Sequence, residues 1–347
     1  MADLWFFLVA GMFTAYAVLD GFDLGAGLLH RWVARTDHER RTVLSAIGPF
    51  WDGNEVFLIA AGGSLFLAFP SVLGSALSGF YLAIFVVLWL LIVRGLSIEL
   101  RSHVDDPLWR TAWDTLFFGS SAFLCFVLGA ALANVVRGVP LDETSYFELP
   151  FFTSFRTTGA VGILDWYTML AGLFSTVVLG AHGAVFLAWK TEGELRDRCL
   201  ALAGRAGYVL LPFWLLLTGA TFVVRPDLPT TMAGRPLAVL FFLGALAGGA
   251  AATVFTRRGE ARAAFLGSCA FIAGLLLTTS AVIYPVLLRS TLDAKWSLDV
   301  AKTQTPDAGL RIGLRWWVPA ALLVFVYFFT VFRTYRGKLT AEPPTAG

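Results

Sequence analysis

Hydrophobic positions gather into about nine long runs, most near the ~20 residues a helix needs to cross a ~30 Å hydrocarbon layer. They fall at Leu4–Leu29, Phe50–Phe69, Gly79–Val93, Leu116–Val136, Trp166–Trp189, Gly207–Val224, Leu237–Phe255, Ala264–Leu288 and Trp316–Tyr335. The pattern predicts an all-α polytopic membrane protein. The loops after odd-numbered runs, together with the C-terminal tail, hold most of the 26 Lys and Arg residues. The excess of positive charge on cytoplasmic loops then puts the N-terminus outside and the C-terminus in the cytoplasm. An odd number of spans satisfies both ends.

Composition agrees with this pattern. The 347 residues are 57% hydrophobic and 14% charged, and mean hydropathy is +0.73. A net charge of +2 leaves no broad basic surface for nucleic acid. Cys125, Cys199 and Cys269 are scattered and form no CxxC pair, so neither a disulfide framework nor a zinc site follows. The start, Met1-Ala2-Asp3, lacks a basic n-region, and the first run reads as a retained helix. The longest segments outside the runs are 137–165 and 289–315, long enough to fold over a membrane surface. The Pro-rich tail Ala341–Gly347 reads as disordered.

The informative positions are polar residues inside apolar runs. Asp20 and Asp23 are three apart on the first helix and share a face. Asp52 and Glu55 repeat that spacing at the start of the second. A carboxylate at mid-membrane costs roughly 2.5–3.5 kcal/mol on insertion scales, so such groups persist where they serve ions, protons or assembly. A proton entering past Glu55 or Asp52 could reach Asp20. Equally, Asp20 or Asp52 could pair with arginine or cap a helix end, and Asp52 sits in a first turn where the helix dipole favours it. Arg94, Glu99 and Arg101 gather at the end of the third run. They read as a solvated helix end with snorkelling arginines, or as partners that neutralise the acids. His182, the only histidine deep in a run, reads as an interhelical hydrogen bonder. His30, His38 and His103 read as solvated loop groups. Asp165-Trp166 reads as an interfacial anchor. With few histidines and methionines, the chain is poorly equipped to hold several hemes.

Several segments together resemble subunit II of the cytochrome bd-type quinol oxidases. They are Val18-Leu19-Asp20-Gly21-Phe22-Asp23-Leu24-Gly25, Gly48-Pro49-Phe50-Trp51-Asp52-Gly53-Asn54-Glu55, Ser78-Gly79-Phe80-Tyr81, Arg94-Gly95 with Glu99-Leu100-Arg101-Ser102, and Trp113-Asp114. The match is densest over residues 15–140. The resemblance implies a heterodimer with a heme-bearing subunit I that carries two b-type hemes and one d-type heme. The complex would oxidise quinol, reduce dioxygen to water and take its protons from the cytoplasm. Subunit II would ligate no heme. In some members it holds a structural quinone, and a small accessory subunit can join the complex. Asp20 and Asp52 match the family's proposed proton-path acids, and Glu55 joins them. Asp23 and Arg101 match positions linked to heme-site integrity or assembly, a group extended here to Arg94, Glu99, Trp51 and Asn54. The family's fold implies a first four-helix bundle at 1–136, an external loop at 137–165 and a second bundle at 166–288. A loop at 289–315, a peripheral helix at 316–335 and a cytoplasmic tail at 336–347 complete it. The setting is the bacterial cytoplasmic membrane. The rival reading from the acids alone is a proton- or cation-coupled transporter, which predicts paired helix breaks in two symmetric halves. The sequence lacks these.

Overall fold

Each predicted apolar run folds as a helix in the computed structural model, which describes residues 1–339. The helices are α1 (Ala2–Val33), α2 (Asp37–Ile47), α3 (Trp51–Ala68), α4 (Pro70–Gly79), α5 (Tyr81–Leu100), α6 (Pro107–Arg137) and α7 (Trp166–Lys190). They continue with α8 (Gly193–Val224), α9 (Leu228–Ala233), α10 (Pro236–Arg257), α11 (Ala261–Ile283), α12 (Val300–Thr303) and α13 (Asp307–Thr334). Among the described residues, eight of these are long and apolar enough to cross a membrane. The other run, α3, is shorter and carries Asp52, Asn54 and Glu55. It runs antiparallel to α1: Asn54 faces Leu19 and Asp23, while Ser64 reaches Met12.

Four boundaries differ from the sequence reading. The basic loop after α1 is mostly the amphipathic helix α2, started by a capping box in which Thr36 and Glu39 satisfy each other's backbone N–H. Helix α8 begins at Gly193, well before the apolar run, so Arg196, Arg198 and Arg205 extend the helix instead of lying in a loop. Helix α13 likewise begins at Asp307. Helix α11 stops at Ile283, because Pro285 has no N–H and restricts the residue before it. The residues beyond it form strand β1 (Val286–Leu288), antiparallel to β2 (Leu298–Asp299). The tail Ala341–Gly347 lies outside the described residues.

Helix α1 is the hub, packing against α3, α6, α7 and α11. Glycine permits its closest approach. A Cβ added at Gly25 would sit 2.0 Å from the Leu179 carbonyl oxygen, and one at Gly183 would sit 2.3 Å from the Gly25 carbonyl carbon. Small residues let membrane helices gain van der Waals contact where lipid provides no hydrophobic drive.

At the end of the bundle that holds the N-terminus, segment 138–165 and the β1–β2 hairpin pack on Trp5, Phe6 and Phe69. Val139 N–H donates to Arg289 O, and Thr291 N–H donates to Val139 O. Gly138, at φ +104°, makes the turn that starts this cap. Asp165 accepts from the backbone N–H of Tyr167 and Thr168 to start α7, and Arg137 pairs with it in the interior. At the opposite end, the chain beyond α13 crosses α7: Leu339 N–H donates to Lys190 O, and the Lys190 ammonium donates to Tyr335 O.

Candidate functional site

The acids of α1 and α3 meet the first arginine of α5 inside the bundle. Asp20 and Arg94 are both fully buried and form a bidentate pair, with Nη1 donating to Oδ2 at 2.8 Å and Nη2 to Oδ1 at 2.6 Å. This fork-on-carboxylate geometry is the strong form of a charged hydrogen bond. Glu55 Oε1 lies 3.1 Å from the same Nη2, as an ion-pair neighbour without hydrogen-bond geometry. One turn along α1, Asp23 Oδ2 accepts from Asn54 Nδ2 at 2.7 Å, and Asn54 also donates to Leu19 O. Asp23 Oδ1 and the Tyr16 hydroxyl are buried without a partner. Trp51 lies over Gly95 of α5.

The carboxyl groups of Asp20 and Glu55 therefore meet one guanidinium, and Asp23 lies one turn away on Asn54. Three acids near one arginine leave formal negative charge in excess, and charge in a low-dielectric interior is costly. Chemically the cluster is a group of carboxyl side chains around one fixed positive charge. Glu55, with its side chain 25% exposed, is the member open to the surroundings.

Asp52 lies apart from this group, exposed on the outer side of α3. Glu99 is also exposed, and its carbonyl accepts from His103. The arginines do not form one solvated end. Arg94 goes to Asp20, whereas Arg101, seven residues on and 1% exposed, goes to a second buried network. There Arg101 Nε donates to Asp114 Oδ1 at 2.6 Å, and Nη2 donates to Asp37 Oδ1 at 2.8 Å. Arg40 and His30 also converge on Asp114, the histidine Nε2 at 2.6 Å. His30 is thus fully buried and not a solvated loop group, because α1 continues past it to Val33. The α2 carboxyls complete this layer. Partial burial acts to raise Asp37, but Arg101, Arg41 and Arg110 outweigh it and hold the carboxyl below its usual range. Glu39 is held low in the same way, by backbone N–H groups and Arg198 acting against burial. Asp114 is part of the Trp113-Asp114 motif of the resemblance but was given no role from sequence, and neither Asp37 nor Arg40 was given one. An aspartate heading an apolar run beside Trp113 was the available signal.

His182 joins three helices. One ring nitrogen bonds Ser268 Oγ on α11 at 2.6 Å, the other Val18 O on α1 at 2.9 Å, and the ring stacks on Phe265. Neither nitrogen is free to ligate heme iron. Among the described residues, no group of three His, Cys, Asp or Glu side chains is arranged to hold a metal ion. His182, with both ring nitrogens engaged, does not fit an axial heme site.

A family model described as cytochrome bd terminal oxidase subunit II matches residues 1–335. The chain is 30% identical to the cytochrome bd-I ubiquinol oxidase subunit 2 of Escherichia coli strain K12, over 98% of its own length and 95% of that protein. It is 32% identical to the cytochrome bd ubiquinol oxidase subunit 2 of Bacillus subtilis strain 168, over 89% and 88%. Among solved structures, the bd oxidase from Geobacillus thermodenitrificans superposes with a TM-score of 0.74 at 15% identity, covering 96% of this chain and 98% of that one. That likeness shows a shared fold.

Proposed function

The chain belongs to the cytochrome bd terminal oxidase subunit II family, and we propose that it gives protons access to its complex through the Asp20–Glu55–Arg94 cluster. Membership makes it a subunit of a heme-containing quinol oxidase, partnered by subunit I, and sets the transporter reading aside. The complex oxidises quinol and reduces dioxygen to water, drawing protons from the cytoplasm and so building a proton motive force. Two b-type hemes and one d-type heme reside in subunit I, where they supply the electron transfer and oxygen chemistry. This chain ligates none. Its N-terminus is outside and its C-terminus inside the bacterial cytoplasmic membrane.

The observation that carries this reading is the meeting of Asp20 and Glu55 on one guanidinium, with Asp23 one turn away on Asn54. A cluster that must hold protons to be neutral can pass them on, with Glu55 as the entry. Asp52 supports a partner surface beside it. An exposed carboxylate on a span is costly against lipid, and the neighbouring face of α5 is apolar and open at Phe85, Trp89 and Ile92. Subunit I covers this face and continues the path past Asp52. Asp23, Asn54, Trp51 and Arg101 hold the elements in register for assembly, and the exposed Glu99 carboxylate faces the partner. The grouping into bundles at 1–136 and 166–288 draws on packing of α5 on α6 and of α10 on α11, while α1 and α6 pack on α7 across the boundary between them. The apolar groove of about 380 Å³ lined by Phe7, Met12, Phe57, Trp317 and Phe328 suits a structural quinone.

The test is a reduced-minus-oxidised absorption spectrum of this chain, purified alone and purified with its co-expressed large subunit. Heme signals only in the co-purified complex support the division of labour. Heme in the chain alone overturns it.

A further inference from the structure

A second cavity, of about 580 Å³, opens on the side of the molecule that holds the C-terminal segment, away from the acidic cluster. It lies where the end of α7 meets the starts of α8 and α11, with walls that include Trp189, Arg196, Arg262, Leu266 and Lys338. Each wall contributes differently. Arg196 donates Nη2 to the Gly259 carbonyl at 2.8 Å and Nη1 to Asp197, an exposed carboxylate outside the lining, at 3.2 Å, and so holds its guanidinium at the cavity edge. Arg262 is exposed, and no described carboxylate pairs with it. Lys338 is brought in by the chain segment that pairs with α7, and its nearest carboxylate, Glu192, stands 3.7 Å away and half exposed. Glu260 is the one acid in the lining. It precedes α11 without capping it, so the first N–H groups of this 23-residue helix have no side-chain acceptor and add positive potential.

The cavity is also graded along the helix. Leu266, one turn beyond Arg262 on the same face of α11, is 57% exposed. Trp189 is partly exposed beside it, a residue type that favours the headgroup level. Cations above an open leucine at a helix end form a site with a polar top and an apolar floor. Basic pockets between membrane helices of this kind take lipid headgroups.

We propose that this cavity binds the phosphate headgroup of an anionic phospholipid, with Arg196, Arg262 and Lys338 around the phosphate and an acyl chain descending along Leu266. The site does not depend on the proton-access reading. It would fix a lipid at the junction of α7, α8 and α11, and would tie the C-terminal segment to the membrane surface through Lys338.

The test uses the detergent-solubilised oxidase complex and native mass spectrometry. Phosphatidylglycerol, phosphatidylcholine and inorganic phosphate are each added separately. The intact complex is expected to retain phosphatidylglycerol over phosphatidylcholine. The R262A/K338A complex is expected to lose about 30-fold in phosphatidylglycerol affinity, at roughly five-fold per cation. E260Q removes the one acid of the lining and is expected to strengthen retention by a similar single step, which guards against a misfolded double variant. Equal retention by wild type and R262A/K338A, or no preference for the anionic lipid, would overturn the proposal. Inorganic phosphate that binds as tightly as the lipid would also overturn it, since the site would then be a free-anion site.

Discussion

Arg94 and Asp20 should not be equivalent when removed singly. Breaking a buried ion pair by deleting one member costs about 3–5 kcal/mol, because the survivor is a charge without a partner. Asp20→Asn leaves Arg94 with Glu55 at 3.1 Å, so part of that cost is recovered. Arg94→Gln leaves Asp20 fully buried with no cation, three residues from Asp23, and also strips Glu55 of its neighbour. The arginine variant should therefore sit at or above the top of that range and the aspartate variant near its foot. The double variant Asp20→Asn/Arg94→Gln should be less destabilised than Arg94→Gln alone, since its polar remnants are neutral. Titration of the purified complex with a denaturing detergent, following tryptophan fluorescence, measures all three. Equal losses under about 1 kcal/mol in both single variants would refute the reasoning, as would a double variant whose loss is the sum of the two. The same proteins separate two roles for Asp20. Loss of oxygen consumption with the full heme spectrum retained marks proton access, whereas loss of heme marks assembly.

Three further outcomes follow from the geometry. Asp37 and Glu39 have depressed values in the fold, so their stabilisation is complete above the unfolded pKa of about 4 and is lost as pH falls through the folded values. Hydrogen exchange of α2 should therefore quicken selectively on acidification below about pH 4, and Asp37→Asn should flatten that response. Gly25→Ala forces a Cβ into the backbone of α7 and should cut the yield of folded protein sharply, by more than the ~1–3 kcal/mol typical of core overpacking. Gly204→Ala meets no atom within 4 Å and should leave the yield intact, which a fluorescence-detected chromatogram checks. Asp165→Ala removes a helix cap worth about 1 kcal/mol and leaves Arg137 buried without its carboxylate, so it should cost about 4 kcal/mol in the same detergent titration.

The long helices were legible because apolar run length against bilayer thickness is a one-dimensional property. The acidic positions were legible because a charge in such a run is conspicuous. Partner choice was not. Arg94 and Arg101 stand seven apart on one helix, about two turns, and sequence offers no means of sending one to Asp20 and the other to Asp114. Both contacts depend on where α1 and α6 cross α5. His30 was misjudged for a related reason. The basic residues Arg31 and Arg35 marked the end of the apolar run, but the helix continues and turns His30 inward to Asp114. Helix α2 escaped notice because its buried side, Val43, Ala46 and Ile47, is short and interrupted by charge.

Helix α5 shows how these pieces combine. Its apolar side chains are largely open, with Leu88 at 51% and Trp89 at 62% exposure, yet its two arginines are among the largest fully buried side chains in the chain. Apolar packing seats only its inner side, where Val87, Leu90 and Leu91 lie against a buried cluster from α1 and α6. The ion pairs to Asp20 and Asp114 seat it, one partway along the helix and one at its end. Charge pairs fix register, because a one-residue shift of α5 would turn both guanidiniums by about 100° and leave two carboxylates buried alone. An element held in register by its polar side, with its apolar side uncommitted, suits a helix shared between two subunits. One of the two pairs that fix it, Asp20 with Arg94, is also the pair proposed to serve proton access beside the shared surface.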